Sequence, residues 1–158
     1  MRKIISITAL RAALKRLRKS GKTIVFTNGC FDILHYGHVR LLQDAKRLGD
    51  VLIVGMNSDS SVKKIKGCLR PIRRQGERAG ILAALEAVDY VTIFNEETPE
   101  RIIKIISPDI LVKGGDWQED AIVGADFVRS KSGNVVTIPI VKGYSTTSLI
   151  KKIRSGCR

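Results

Sequence analysis

Five short apolar runs punctuate the chain: Thr23-Ile24-Val25-Phe26-Thr27, Val51-Leu52-Ile53-Val54-Gly55-Met56, Tyr90-Val91-Thr92-Ile93-Phe94, Ile110-Leu111-Val112-Lys113 and Val135-Val136-Thr137-Ile138-Pro139. Each is apolar at consecutive positions, so each predicts a strand buried on both faces. Between them the spacing is helical. Residues 8–20 put Leu10, Leu14 and Leu17 on one face and Arg11, Lys15, Arg16, Arg18 and Lys19 on the other. Thr8 offers that helix a cap and Gly21 a stop. Further helices are predicted over about 36–48, 76–87, from Pro99 to near Ser107-Pro108, 121–131 and 147–154, with 57–75 as a long polar loop. Buried strands alternating with helices predict an α/β fold: a Rossmann-like, doubly wound, parallel five-stranded sheet in a single domain. Residues 1–21 read as an N-terminal helix packed on a domain of residues 22–154, with 155–158 as a tail.

The chain has 158 residues, enough for one core, and its 44% hydrophobic and 27% charged content excludes wholesale disorder. No apolar run approaches the ~18 residues that would span a membrane. The N-terminus lacks the apolar stretch of a secretory signal. A cytoplasmic protein without a membrane partner is expected. Cys30, Cys68 and Cys157 are odd in number and scattered, which suggests neither a disulfide framework nor a structural zinc site. The net charge of +13 invites anionic partners, whether nucleic acid, a membrane surface or small phosphorylated substrates.

Doubly wound sheets bind ligands beyond the carboxyl ends of their strands, so the segments after each strand carry the chemistry. The first strand is followed by Asn28-Gly29-Cys30-Phe31-Asp32-Ile33-Leu34-His35-Tyr36-Gly37-His38. His35 and His38, the two histidines of the chain, fall on one side of a helix start. Gly37 lets a phosphate approach the backbone, and the helix N-terminus adds free N–H groups. That set suits a transferring phosphoryl group. Zinc is disfavoured because no third ligand lies nearby, and no other metal site is expected.

After the second strand come Asn57-Ser58-Asp59 and a basic stretch with Lys63, Lys64, Lys66, Arg70, Arg73 and Arg74. It reads as a solvated loop or as an arm over polyphosphate, and its place beyond a strand end favours the arm. After the fourth strand come Lys113-Gly114-Gly115-Asp116-Trp117, where glycines allow close approach and the single tryptophan can stack on a base or pack against the loop. After the fifth come Gly143-Tyr144-Ser145-Thr146-Thr147-Ser148, hydroxyls that cap a helix or bind phosphate. Gly21-Lys22-Thr23 is no P-loop, because its lysine precedes a strand, and no G-x-G-x-x-G follows the first strand.

Segments 27–38, 48–59, 67–71, 75–89, 98–117 and 144–150 together resemble the cytidylyltransferase-like superfamily. More narrowly they resemble the adenylyltransferase part of the enzymes that make ADP-heptose. The resemblance implies transfer of AMP from ATP to D-glycero-β-D-manno-heptose 1-phosphate, giving ADP-heptose and pyrophosphate by in-line attack on the α-phosphate. It places His35 and His38 on the ATP phosphates and Lys64 or Lys66 beside the reacting phosphates. Ser145, Thr146 and Thr147 would hold the β- and γ-phosphates, and Arg78 would join them from the start of a helix. Asn28, Gly29, Phe31 and Gly37 would line the nucleotide site. Gly114, Asp116 and Trp117 would lie near the base, and Asp59 would position the substrate or the loop.

The resemblance also implies Mg²⁺ bound mainly through the ATP phosphates, a homodimer, and a separate kinase supplying the sugar 1-phosphate. Gly76 and Gly80 stand where relatives are expected to carry acids, and Arg73 and Arg74 where they carry more neutral residues. Three alternatives remain. One is a cytidylyltransferase acting on glycerol phosphate or a similar alcohol phosphate. Another is a scaffold without activity, against which the motif residues are all present. The third is a basic nucleic-acid-binding protein, against which stand only 5% aromatic residues and no stacking motif.

Overall fold

The structure is a computed structural model that describes residues 3–115, 118, 121–139, 141 and 143–156. Five strands run in parallel: β1 (Ile24–Gly29), β2 (Val51–Asn57), β3 (Tyr90–Phe94), β4 (Ile110–Gly114) and β5 (Asn134–Ile138). Their order is β3-β2-β1-β4-β5. The chain therefore winds outward from β1 in one direction and, from β4, in the other. The crevice beyond the carboxyl ends of β1 and β4 is the switch point of the topology.

Strand side chains divide between two cores. Ile24, Phe26, Val51, Ile53, Leu111 and Val135 pack on one face, with α1 (Ile7–Lys19), α5 (Glu100–Ile106) and α6 (Ala125–Ser130). Val25, Leu52, Val54, Met56, Val91 and Val112 pack on the other, with α2 (Tyr36–Lys46) and α4 (Gln75–Ala84). This is the doubly wound α/β arrangement that the apolar runs predict. Gly55 is dictated by that packing, since a Cβ there would sit 2.7 Å from the Phe26 ring.

Several boundaries differ from the sequence expectation, each for a local reason. The α1 cap is Ser6, whose Oγ accepts the Ala9 N–H at 3.2 Å; Thr8 lies inside the first turn. A cap must reach the amide two or three positions on, and Ser6 is the residue so placed. Upstream of it, Lys3 and Ile5 exchange backbone hydrogen bonds with Val91 at 2.9 and 3.0 Å. The Arg18 guanidinium donates to the carbonyls of Ile106 and Ser107 at the end of α5, which further ties α1 to the domain.

The stretch 57–75 is not one loop, because Asp59–Lys66 form a helix, α3. Ser58 Oγ accepts the Ser61 N–H at 3.3 Å, Asp59 stands in the first turn, and Lys63, Lys64 and Lys66 stand in the last. All three features favour a helix through its caps and dipole. The helix α6 begins at Ala125, after Gly124 at φ 89°, where a Cβ would meet Ile103 at 2.7 Å. The last helix is α7 (Thr146–Arg154), which buries none of its side chains. Among the described residues no helix is long and apolar enough to cross a membrane.

Candidate active site

β1 extends two residues past its apolar run, so Asn28 and Gly29 still pair with β2, opposite Gly55 and Met56. The chain then turns sharply at Phe31, which has φ 45°. His35 is the N-cap of α2 but caps nothing with its side chain. Its ring instead stacks on His38 with centroids 3.8 Å apart and planes 24° apart, and Phe31 flanks His38 at 5.2 Å. Gly37 permits this arrangement, since a Cβ there would lie 3.2 Å from the His35 ring and 3.3 Å from Tyr144 Cβ.

Burial lowers the pKa of His35. Burial, and then the neighbouring His35, push His38 down to about 4. Both imidazoles are therefore neutral at pH 7, and each keeps one N–H to donate. The Nδ1 atoms of both are buried without a partner among the described residues. A buried polar atom left unpaired costs free energy that a bound ligand can restore.

The end of β4 brings Lys113 beside Asn28, one residue beyond the Thr27–Val112 pair. Its Nζ donates to Asn28 Oδ1 at 3.4 Å. Burial pushes this ammonium below the usual lysine range, partly offset by the Cys30 thiol. Gly114 lies against Leu41, whose Cδ2 would be 3.0 Å from an added Cβ. At the start of α7, Ser145 Oγ accepts the Ser148 N–H at 3.0 Å while Ser148 Oγ accepts the Ser145 N–H at 3.1 Å. This reciprocal cap holds the helix N-terminus toward the crevice. Tyr144 and Tyr36 meet at its rim, with ring centroids 5.2 Å apart.

Two clefts open here. The first, of about 310 Å³, is lined by His35, Gly37, His38, Gly114 and Ser145 together with apolar Leu41, Ile138, Pro139 and Tyr144. The second, of about 550 Å³, is lined by Asp32, Asn57, Lys66, Arg70, Glu97 and Thr147. Asn28, Gly29, Cys30, Phe31, His38, Lys113 and Thr146 border both.

A buried clasp shapes the second cleft. The Asp32 carboxylate accepts the backbone N–H groups of Ile72 and Arg73 at 2.8 and 3.0 Å and the Arg70 guanidinium. Burial alone would raise its pKa; the donors of Arg73, Ile72 and Arg70 outweigh burial and hold it below the usual carboxylate range. The basic stretch 70–73 is thereby fixed over the crevice.

The structure gathers most of the expected residues and sets three apart. Arg78 lines neither cleft. Its guanidinium is fully buried and donates to the Cys30 carbonyl, to Asp59 Oδ1 at 2.7 Å and to the Arg73 carbonyl at 3.1 Å. It braces the loops that form the site, with Asp59 as its partner. Lys64 points to Glu97, 3.8 Å away, from a side chain that is 62% exposed. Asp116 and Trp117 lie outside the described residues.

The sequence expectation assigns no individual role to Lys113, Asp32, Asn57, Glu97 or Tyr144. A lysine closing a buried apolar strand is a readable signal for Lys113. Glu97 carries none, since it reaches the crevice only because β3 lies beside β2. Among the described residues no group of three or more His, Cys, Asp or Glu could hold a metal ion.

Known proteins share this architecture. A lipopolysaccharide core biosynthesis protein from Thermoplasma volcanium GSS1 superposes with a TM-score of 0.63 and 28% identity, covering 79% of this chain and 100% of that one. Pantoate-beta-alanine ligase from Francisella tularensis superposes with a TM-score of 0.64 at 18% identity, covering 88% of this chain and 67% of that one, a likeness of fold alone. Curated relatives include the bifunctional protein HldE of a Nitratiruptor species, 60% identical over 89% of this chain and 30% of that protein. The proteins of the same name from Campylobacter fetus subsp. fetus and Geotalea uraniireducens are 55% and 51% identical over 97% and 98% of this chain. This chain spans 32% and 31% of their lengths. The sequence profile of the cytidylyltransferase-like family matches residues 26–152, and this chain belongs to that family.

Proposed function

We propose that this protein transfers AMP from ATP to D-glycero-β-D-manno-heptose 1-phosphate, forming ADP-heptose and pyrophosphate. The observation that carries the reading is the pair of adjoining clefts, one bordered by two helix N-termini and two stacked neutral imidazoles, the other by cations and hydrogen-bond acceptors. The apolar wall of the first cleft suits a base and ribose. Its His35, His38 and α7 N-terminus suit a triphosphate, with Thr146 and Thr147 beside it. Asp116 and Trp117 keep their proposed place near the base through the family resemblance. In the second cleft Lys66 and Arg70 suit the phosphate of the acceptor, and Asn57 and Glu97 suit its hydroxyls.

The reaction needs no general base. An anionic oxygen of the sugar phosphate attacks the α-phosphorus, the bond from that phosphorus to the α,β-bridging oxygen breaks, and its electron pair leaves with pyrophosphate. The protein supplies position and electrostatic stabilisation. Mg²⁺ would accompany ATP, held mainly by its phosphates, and would supply charge neutralisation there. The relatives named HldE and the neighbour named for lipopolysaccharide core biosynthesis support a sugar phosphate as acceptor. The same reading has the protein act in the cytoplasm as a homodimer on small phosphates and not on nucleic acid.

Pyrophosphate release, measured across ATP and CTP and a panel of sugar 1-phosphates and alcohol phosphates, tests the reading. ATP with the heptose phosphate is the expected pair. Release only from CTP with glycerol phosphate would replace it.

A further inference from the structure

The nucleotidyl-transfer reading leaves one half-buried cation, Lys113, without a role. Lys66 and Arg70 border the second cleft alone; Lys113 borders both. It rises from the carboxyl end of β4 at the switch point of the sheet, and its Nζ donates to the neutral Asn28 amide oxygen at 3.4 Å. Among the described residues no carboxylate forms an ion pair with it. Drawing an ammonium out of water without an anion is costly, and a bound anion would offset that cost.

The two clefts also fix which anion. In an in-line transfer the leaving pyrophosphate and the attacking phosphate lie on opposite sides of the phosphorus that changes hands. The group passing between them is the α-phosphoryl, and a cation bordering both clefts is placed to meet it.

We propose that Lys113 is a catalytic residue, whose ammonium contacts a non-bridging oxygen of the α-phosphoryl group as it passes from the nucleotide cleft to the acceptor cleft. The inference rests on the nucleotidyl-transfer reading. As the α-phosphorus becomes crowded by entering and leaving oxygens, charge gathers on its equatorial oxygens. A fixed cation there stabilises the transition state more than bound ATP. Removing it should therefore lower kcat and leave ATP affinity nearly intact.

The test compares the full chain with Lys113→Met and Lys113→Arg. Turnover is read as pyrophosphate release from ATP and the acceptor, ATP binding by titration calorimetry, and folding by thermal melts. The expected result for Lys113→Met is a kcat roughly 100-fold lower, with the ATP Kd within about threefold and a melting temperature no lower than the parent's, because a half-buried charge without a carboxylate partner is replaced by an apolar chain of similar length. Lys113→Arg, which keeps the charge, should recover part of the lost rate.

A kcat for Lys113→Met within about threefold of the parent would overturn the role while leaving nucleotidyl transfer standing. So would a parallel loss of ATP affinity or a lower melting temperature, which would make the lysine a ground-state or structural contact. A parent protein that releases no pyrophosphate from any nucleotide and acceptor would overturn the functional reading, and the role of Lys113 with it.

Discussion

The two clefts share a floor and differ in nearly everything above it. Among the described residues the first has no carboxylate in its lining, and Lys113 is its only charged side chain; its anion-binding equipment is two helix N-termini and two histidines held neutral by burial. The second holds Asp32 and Glu97 against Lys66 and Arg70. A chain with a net charge of +13 thus lines the cleft proposed for the triphosphate mainly with dipoles and N–H donors, and puts its side-chain charges where the acceptor would sit. The difference follows from geometry. A triphosphate can lie along backbone amides that helix starts present ready-made. A sugar phosphate needs donors for its phosphate and acceptors for its hydroxyls, and only side chains from several elements supply both.

The largest effect that would test this division is at the shared floor. His38→Ala should lower kcat by roughly 100- to 1,000-fold, since on the proposed reading it removes one preorganised donor to the reacting phosphate. The change empties a partly buried site without touching the sheet, so the far-ultraviolet circular dichroism spectrum should be unchanged. Turnover within about threefold of the parent would show that the imidazole stack only fills space.

The first cleft is far more legible in the sequence than the second. Consecutive apolar residues announce the strands, and the segments just beyond them, from Asn28 to His38 and from Gly143 to Thr147, carry their chemistry in contiguous form. Boundaries fail where local chemistry outweighs the hydrophobic pattern. The helix α3 buries only Ser61 and Val62 and so shows almost no apolar stripe; its capping serine and terminal charges are visible but suit a polar loop equally well. The second cleft is assembled across the sheet. Asp32 and Ile72 are 40 residues apart, and Arg78 reaches back 48 residues to Cys30. Arg78 sits at a helix start like a phosphate ligand, yet its complete burial turns it to carbonyls and Asp59. No periodicity encodes such a contact.

A change confined to the clasp should separate the clefts. Asp32→Asn keeps the shape of the side chain and removes the charge that Arg70, Ile72 and Arg73 donate to. Hydrogen bonds to a charged group contribute about 1.5–3 kcal/mol, and every ~1.4 kcal/mol is a factor of ten in affinity. Arg70 should lose its fixed position, raising the KM for the acceptor by about tenfold while the KM for ATP stays within about twofold. Steady-state kinetics with each substrate varied in turn reads the two separately. Equal rises in both KM values would mean that stretch 70–73 closes over the nucleotide as well, and the contrast between the clefts would fail.

The smallest effect belongs to Lys64, and its smallness is the informative part. Lys64 and Lys66 are two residues apart on α3, which turns them about 200° from one another, so one helix cannot aim both into the same cleft. Lys66 lines the second cleft, whereas Lys64 faces Glu97 across 3.8 Å with both side chains more than 60% exposed. A pair that open contributes about 0–1 kcal/mol and is screened by salt. Lys64→Ala should therefore leave kcat and both KM values within about twofold of the parent, and Lys66→Ala should raise the acceptor KM well beyond that. The reverse pattern would require α3 to rotate or unwind when substrates bind, exchanging one lysine for the other. The second cleft would then be completed by its ligands, while the first, held by sheet and helix caps, stands ready without them.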